Sequence, residues 1–450
     1  MNSYSEGVRT MKKCFLNKRM IALGLVLCLA FSLAACNHGF GKDLPLKGQK
    51  DSATKSLYEN DRTLEKYCFD NSVIAFDGYD EEATNTALAD FSLRLLEENI
   101  SVWGESDTNI LISPVSVLSA LGMTSFGAEG ETLSQMETMF GVSRANLHVY
   151  NNKCLEKLSD EVKMANSIWF TNDERVTVNE AFLQFNEEFY GAELYETAFN
   201  SATLLSINDW VSKKTDGMIP NILDKIPPDA VMYLINALVF EAEWEEKYDS
   251  IQIWKNAEFT TAAGKKQTVD MMHSDESLYL TDEMAKGFIK YYKDRNYAFV
   301  ALLPNEGISI AEYVKSLSGE QLQSLLSNPQ NAMVNAYIPQ FSYEYKVEMS
   351  ALLKEMGMMD AFDESKADFS NMVTSTRGNV YITRVLHKTF IEVSPVGTKA
   401  GAATVVEAAD EGMGFYDESH EVRLDRPFLY MIIDCENNQP MFIGVVNSVE

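Results

Sequence analysis

One face of a short segment late in the chain carries only small residues. Thr398, Ala400, Ala402 and Thr404 occupy alternate positions, and Ala403 lies between the last two. Alternate side chains of a β-strand point to the same face of its sheet. An extended form of this segment would therefore bring no bulky or charged side chain into a sheet interior, where such groups are costly. These residue types favour the addition of a strand to a sheet.

Two other structures for this segment are an Ala-rich helix and a flexible linker. Gly397 and Gly401 argue against the helix, since glycine is unfavourable in helix interiors. Thr404 and Val405 are β-branched and favour a strand. The preceding stretch, Val380–Val393, has the composition of a strand. The sequence therefore predicts a strand followed by a loop that can itself become extended.

The chain lacks the common signatures of hydrolases, zinc enzymes and nucleotide-binding proteins. It contains no Gly-x-Ser-x-Gly elbow, His-Glu-x-x-His pair, phosphate-binding loop or Cys-x-x-Cys pair. His387 is the natural candidate for a general base assembled from distant residues, because it lies in an apolar strand. Such a histidine is more often a core residue whose hydrogen bonds are satisfied. We predict no catalytic activity, no metal and no cofactor.

The N-terminus has the organisation of a signal peptide, residues 1–35. Five basic residues precede the apolar run Met20–Leu33, which is short for a membrane span. The run ends in Leu33-Ala34-Ala35-Cys36, which resembles a bacterial lipobox and implies that Cys36 is lipidated. A plain secretory signal cleaved nearby is the alternative, and Met11 is an alternative start to Met1. We expect an exported protein, lipid-anchored on the outer face of the cell envelope or extracellular.

The formal charge of −28 excludes several classes of partner. An acidic surface repels nucleic acid and anionic lipid headgroups, and we expect no site for a heparin-like polyanion. Beyond Cys36, only Cys68, Cys154 and Cys435 remain, widely spaced and odd in number. This pattern predicts neither a disulfide framework nor a metal site. A large hydrophobic core must stabilise the chain, which we expect to be monomeric.

The pattern of residues predicts an α+β fold. Residues 36–83 are polar and acidic and predict a tether. An amphipathic helix is expected from Asn85, and Asn109–Met123 reads as a short buried strand followed by a Ser-Pro helix start. Strands without regular helical alternation indicate α+β architecture; they are predicted at Lys163–Phe170, Met232–Phe240, Tyr297–Leu303, Ala332–Ile338, Val380–Val393 and Pro427–Asp434.

The chain resembles the serpins, a family of serine protease inhibitors, over residues 84–450. His387–Val393, reading HKTFIEV, and the Gly-Thr and Ala-rich run after it are similar to the serpin hinge. Seven further motifs appear in the family's order, at residues 109–136, 207–217, 234–244, 337–345, 353–370, 425–428 and 442–447. The resemblance implies one large domain with three β-sheets, about eight or nine helices and an exposed reactive loop at about 395–423.

The resemblance also implies a mechanism and a set of site residues. A target protease would attack the loop as a substrate and remain acylated while the loop inserts as a new strand, a known form of stored-strain release. The hinge would comprise Gly397, Thr398, Ala400, Ala402, Ala403 and Thr404. A hydrogen-bonded cluster beneath the central sheet, called the shutter in this family, would comprise Ser113, Ser116, Asn236 and His387.

The reactive bond is less well specified than the hinge. Counting forward from Gly397 at the family's usual spacing places the cut between Glu411 and Gly412. Counting back from Asp425 gives Tyr416 instead, and Asp410 and Met413 remain open alternatives. The hinge count is preferred because the inserted strand must fit the sheet.

One departure from the family pattern bears on insertion. Pro395 and Val396 stand where serpins usually have acidic residues, and proline cannot donate a ladder hydrogen bond. We therefore expect an altered first step of insertion. The alternative function is that of a non-inhibitory serpin-fold lipoprotein that binds partners at the surface without trapping a protease.

Overall fold

The first described helix begins slightly earlier than the sequence predicts. The computed structural model describes residues 79–103, 106–157, 159–398 and 419–450. Helix α1 spans Glu81–Trp103, and the carboxylate of Asp80 accepts the N–H of Ala83 at 3.0 Å. An acidic side chain at this place caps the free N–H groups of a helix start. Residues 81–83, which the sequence assigned to the tether, are therefore helical.

The predicted strand and Ser-Pro helix start are both present. Strand β1 spans Ile110–Ile112 and is fully buried, and α2 follows at Pro114–Ser125. The Ser113 hydroxyl oxygen accepts the N–H of Ser116, while Pro114 occupies the first turn, where its missing N–H costs nothing. This turn places Ser113 at the junction of strand and helix.

The described residues contain nine α-helices and eighteen strands. The remaining helices are α3 (Gly130–Phe140), α4 (Arg144–Glu156), α5 (Glu180–Tyr190), α6 (Ser201–Lys214), α7 (Ile310–Ser316), α8 (Gly319–Ser327) and α9 (Ser350–Glu355). The remaining strands are β2 (Val162–Thr171), β3 (Val176–Val178), β4 (Glu193–Thr197), β5 (Met232–Phe240), β6 (Ala242–Glu243), β7 (Ile253–Thr260), β8 (Lys266–Thr281), β9 (Ala285–Tyr291), β10 (Tyr297–Pro304), β11 (Gln330–Pro339), β12 (Phe341–Glu348), β13 (Val373–Ser375), β14 (Leu386–Val393), β15 (Gly397–Thr398), β16 (Ser419–Arg423), β17 (Phe428–Asp434) and β18 (Gln439–Val446).

The largest sheet contains nine strands in the order β1-β18-β17-β10-β9-β8-β11-β16, with β7 also paired to β8. Most of its pairings are antiparallel, but β16 joins β11 in parallel. Strands β10, β17 and β18 are buried almost throughout. This sheet provides most of the apolar core and holds the chain that follows the predicted reactive loop.

Two smaller sheets share one long extended segment. The first has the order β4-β2-β5 and the second β12-β14-β15-β6. Only Glu241 separates β5 from β6, so the segment from Met232 to Glu243 runs through both sheets. The α+β prediction and the serpin-like fold are confirmed. The central sheet that the resemblance implied is divided into these two hydrogen-bonded parts.

One predicted strand is shorter than expected. Val380–Val393 was predicted as a strand throughout, but β14 begins only at Leu386. The N–H of Ile382 donates to Ala361 O at 2.9 Å, and the N–H of Val385 donates to Ser350 Oγ at 3.0 Å. Because these backbone groups are satisfied by loops and a side chain, this stretch does not join a sheet ladder.

A second, smaller core lies under α6. Ile207, Trp210 and Val211 of this helix pack in one apolar cluster with Trp169 of β2 and Ile235 of β5. All described residues fall within one compact unit. None of the helices in the described ranges has both the length and the apolar character needed to cross a bilayer.

Candidate functional site

A tight turn connects β14 to β15. The N–H and the hydroxyl of Ser394 both donate to Gly397 O, at 3.0 and 3.1 Å. Pro395 and Val396 occupy the two central positions, and proline is favoured at the first of these. The expected alteration of the first insertion step assumed that a ladder hydrogen bond would be required from Pro395. It lies in the turn instead, where no ladder hydrogen bond is required from its nitrogen.

After the turn, two residues form a strand between β14 and β6. Gly397 pairs with Glu243, while Thr398 pairs with both Ala242 and Val393. A Cβ atom on Gly397 would lie 2.1 Å from Ala242 O, so glycine is required by this close approach of two backbones. The predicted hinge therefore begins as a strand that is paired on both sides.

The side chain of Thr398 is buried and hydrogen-bonded. Its hydroxyl contacts Tyr292 Oη at 2.5 Å, and the residue is 2% exposed. The Tyr292 ring stacks on Trp244 with 4.5 Å between ring centroids. The side chain of Thr398 thus lies in the protein interior in this structure.

Trp244 and Tyr248 donate hydrogen bonds to the backbone carbonyls of the turn. The backbone N–H of Trp244 donates to Val396 O at 3.0 Å, and its indole N–H donates to Ser394 O at 2.8 Å. The N–H of Tyr248 donates to Pro395 O at 3.0 Å. These three bonds fix the start of the hinge. Sequence reasoning placed Trp244 in a family motif but did not identify its contact with the turn.

Beyond the two residues of β15, β5 and β14 are not hydrogen-bonded to each other in the described residues. Among the described residues, β5 pairs only with β2, and β14 pairs with β12 and, through Val393, with β15. Residues of both edges line a cavity of about 310 Å³, which extends beneath α2. Backbone groups on both edges could accept another strand, because strand edges carry unpaired N–H and C=O groups.

The four predicted shutter residues lie around this cavity. Ser113, Ser116, Asn236 and His387 all line it. The backbone N–H of Ser113 donates to His387 Nε2 at 3.0 Å. Asn236 does not join this bond, and its Nδ2 donates to Asn166 Oδ1 at 2.9 Å. The structure thus places the four residues together but divides their hydrogen bonds between two groups.

The second group contains residues that the sequence did not reveal. Asn166 Oδ1 also accepts the Ser119 hydroxyl at 3.2 Å, and Asn166 Nδ2 donates to Tyr190 O at 2.8 Å. Asn166 lies directly opposite Asn236 in the β2–β5 ladder. The sequence signal was an asparagine in each of two predominantly apolar strands. Asn236 Oδ1 is buried without a hydrogen-bond partner among the described residues.

His387 does not form the centre of a Ser-His-Asp site in the described residues. Its Nε2 accepts a backbone N–H, so this nitrogen is unprotonated. The Ser113 hydroxyl oxygen accepts the N–H of Ser116 and is not the group bonded to the imidazole. Burial lowers the pKa of His387 to about 4. The geometry is that of a neutral histidine in a core, as the sequence favoured.

The far end of the predicted reactive loop is also a strand. Ser419–Arg423 forms β16, and Arg423 pairs with Tyr337. Its guanidinium carbon lies 3.8 Å from the centre of the Tyr337 ring, a cation–π contact. The loop predicted at 395–423 therefore has paired strands at both ends. Several predicted residues lie outside the described ranges: Ala400, Ala402, Ala403, Thr404, Asp410, Glu411, Gly412, Met413, Tyr416 and Cys36.

Comparison with known proteins identifies the same family along most of the chain. The family model described as "Serpin (serine protease inhibitor)" matches residues 86–449. Serpin B8 of Homo sapiens is 31% identical over 369 residues, covering 77% of this chain and 95% of that protein. A thermophilic serpin, tengpin, is 43% identical; its native-state crystal structure has a TM-score of 0.75 and covers 82% of this chain and 95% of that one. Its latent-state structure has a TM-score of 0.72, with coverage of 82% and 99%.

Replacement of Gly397 by alanine tests the close approach of β15 to β6. The new methyl group would meet the Ala242 carbonyl, so the two backbones must separate. We expect G397A to speed cleavage of the 394–398 segment by a nonspecific protease about tenfold, since local opening becomes easier. Gly264→Ala is the control for strain elsewhere in the chain: its φ of +76° strains an alanine, but a Cβ there meets no atom within 4 Å, so cleavage within 394–398 should not change. Equal cleavage rates for both variants would contradict the proposed contact.

The pH dependence of stability tests the state of His387. Its folded pKa of about 4 lies below the ordinary histidine pKa of 6.5, so the unfolded chain binds more protons between these values. Stability therefore falls as the pH falls through this window, with about 3 kcal/mol lost through His387. We expect H387Q to reduce the slope of denaturant midpoint against pH. His148, whose pKa is lowered to about 3 by burial, contributes in the same direction and preserves a residual slope.

Thr389→Val supplies the control for this measurement. It removes the hydrogen bond from the Thr389 hydroxyl to Leu111 O, at 2.7 Å, without removing a titrating group. This variant is expected to lose stability equally at all pH values between 4 and 6.5. An H387Q slope identical to that of the unmodified protein would mean that His387 does not titrate in this window.

Proposed function

This chain belongs to the serpin family, and from that premise we propose that it is a suicide inhibitor of serine endopeptidases. The observation that carries the proposal is the pairing of Gly397–Thr398 between β6 and β14, above an open gap between β5 and β14. A strand that has already begun in the right place needs only to be extended. Loop residues beyond Thr398 would supply that extension after cleavage.

The observed register predicts where each inserted residue would lie. Thr398 is opposite Val393 on one side and Ala242 on the other. Continuing both antiparallel pairings places Ala400 opposite Ile391 and Phe240, two buried residues. Because paired residues in adjacent strands point to the same face, Ala400 would point inward. Small side chains at the alternate positions 398, 400, 402 and 404 thus match the buried face of both neighbouring strands.

The same register gives Thr404 a specific role. It would lie opposite His387 of β14 and opposite Asn236 of β5, with its side chain on their face of the sheet. Asn236 Oδ1 is buried and has no hydrogen-bond partner among the described residues. A threonine hydroxyl can donate one hydrogen bond, and a buried acceptor left without a donor costs about 1–3 kcal/mol. Thr404 is therefore suited to satisfy this oxygen when the loop inserts.

The proposed covalent step follows ordinary acyl transfer. The protease hydroxyl attacks the carbonyl carbon of the residue before the cut, proposed as Glu411, and an ester bond forms as the peptide bond breaks. The protease histidine takes the hydroxyl proton and delivers it to the departing amine of Gly412. The loop, freed from β16, inserts before water can hydrolyse the ester. The protease then remains attached to the displaced end of the loop.

Insertion has a clear physical driving force. A new strand between β5 and β14 would form backbone hydrogen bonds on both sides, each contributing about 0.5–1.5 kcal/mol net. It would also fill part of the 310 Å³ cavity with side-chain atoms. These gains are available only to an extended segment with small inward residues, which the loop provides.

We also propose that the protein acts outside the cytoplasm, attached to a membrane by lipidated Cys36. The support is the order of basic residues, apolar run and small residues before this cysteine. Cys36→Ser should then release the protein from membranes in a detergent-partition assay. A detergent-phase protein with serine at this position would contradict lipidation.

Incubation with a panel of serine and cysteine proteases tests the inhibitory function directly. We expect a complex at the summed mass that resists boiling in denaturant, with at least one protease that prefers acidic or aromatic residues. The mass of the released C-terminal peptide identifies the cut among Asp410, Glu411, Met413 and Tyr416. Cleavage by many proteases without any such complex would favour the non-inhibitory surface-binding function.

Arginine at an inward position should convert the inhibitor into a substrate. Ala400→Arg would bring a charge between Ile391 and Phe240, and an unpaired buried charge is very costly. We expect about tenfold more inhibitor to be consumed per protease trapped, equivalent to about 1.4 kcal/mol in the insertion barrier. Gly401→Arg is the matched control, because position 401 falls on the outward face. Equal inhibition by both variants would contradict the insertion register.

A further inference from the structure

Lys290 is the most deeply buried of the Lys, Arg, Asp and Glu residues in the described ranges. It lies in β9 with its side chain 2% exposed. Removing an ammonium group from water costs several kcal/mol even after relaxation of the protein. Replacing such a buried ion pair with apolar residues often leaves a protein equally stable. Fold stability alone is therefore a weak reason for a charge at this place.

The charge is paired with a carboxylate on the next strand. Lys290 Nζ lies 2.8 Å from Glu276 Oε1 of β8, whose side chain is 13% exposed. The same carboxylate oxygen accepts the Ser274 hydroxyl at 2.7 Å. Ser274 Oγ in turn lies 3.1 Å from Tyr248 Oη. A continuous set of polar contacts therefore connects the ion pair to Tyr248.

The ammonium group also faces both aromatic residues that hold the hinge turn. Lys290 Nζ lies 4.7 Å from the centre of the Tyr248 ring and 5.6 Å from that of the Trp244 ring. A cation at such distances attracts the face of an aromatic ring. Trp244 and Tyr248 donate to Ser394, Pro395 and Val396, as described above. The ion pair thus touches the residues that fix the turn without touching the turn itself.

We propose that Lys290 and Glu276 are positioning residues for the hinge: the pair holds Trp244 and Tyr248 in the orientation that keeps Gly397–Thr398 paired between β6 and β14. The carboxylate that neutralises Lys290 comes from Glu276 of β8 and not from the turn. The turn can therefore open or close without separating a charge from its partner.

The electrostatics of the pair give it a distinctive pH signature. Burial by itself lowers the pKa of Lys290, but the Glu276 carboxylate, Tyr248 and Glu246 together outweigh burial, so the pKa is raised overall. Lys290 therefore stays charged over the whole physiological range. Without the carboxylate, burial would dominate and the pKa would fall. The buried side chain would then be more stable as the neutral amine than as the ammonium.

Glu276→Gln is the test, because it removes the charge while keeping the shape of the side chain. Hydrogen exchange of backbone amides in residues 242–248 reports the bonds from Trp244 and Tyr248 to the turn. We expect E276Q to lower their protection about tenfold at pH 6. As the pH rises towards 9, Lys290 becomes neutral and protection, corrected for the intrinsic exchange rate, should partly return. The unmodified protein should show constant protection over this range.

Two variants separate a positioning role from general destabilisation. Asp270→Asn removes a second carboxylate from β8, one paired with Lys255 at the surface, and should leave the 242–248 amides unchanged. Lys290→Met removes the cation and should lower protection without the recovery at high pH. The inference is overturned if E276Q matches the unmodified protein, or if its loss of protection is spread evenly over the chain or independent of pH.

The link from this pair to protease inhibition rests on the proposed function, whereas its effect on the hinge does not. If the unmodified protein forms no covalent complex but E276Q still loses hinge protection, the proposed function fails and the positioning role stands. If the unmodified protein traps proteases and E276Q retains full hinge protection, the positioning role fails alone.

Discussion

The unpaired edges of β5 and β14 are the feature on which the other elements of the site depend. A strand edge in a sheet exposes N–H and C=O groups that other chains can pair with, and proteins normally cover or shorten such edges. Here the two edges face one cavity, and among the described residues only the two of β15 lie between these strands, next to Val393 and Ala242. The surrounding structure keeps this space open. Helix α2 lies over the cavity, and the hydrogen bond from Ser113 to His387 links the start of α2 to β14.

The open gap also determines which side chains can surround it. Residues of β14 alternate between half-buried and buried positions, with His387, Thr389, Ile391 and Val393 on the buried face. Any strand that pairs with β14 must match this alternation, because a shift of one residue reverses every side chain. Gly397 fixes the register by its close approach to Ala242, and Thr398 fixes the face by its contact with Tyr292. The bonds from Trp244 and Tyr248 then hold the turn at Pro395.

Much of this arrangement was predictable from the sequence, and the exceptions have physical causes. Ser113 and Pro114 predicted the start of α2 because helix caps depend on neighbouring residues. The strands β2, β5, β10, β11 and β17 were predicted from short segments rich in apolar residues. The non-strand structure before Leu386 was not predictable, since it depends on acceptors at Ala361 and Ser350 that are distant in sequence. The Lys290–Glu276 pair was missed for the same reason: on each strand the residue looks like a solvent-exposed charge.

The contrast between a well-defined hinge and a poorly defined cut site has the same origin. In the proposed mechanism, inward hinge residues are constrained by sheet strands on two sides, so alanine and threonine are among the few suitable types at those positions. Such residues are also compatible with water, as this mechanism requires of a segment that is exposed before cleavage and buried after it. The residue at the cut is then constrained only by the pocket of the target protease. Under the same proposal its identity can change without affecting insertion, so the sheet would specify trapping and the residue at the cut would specify the target.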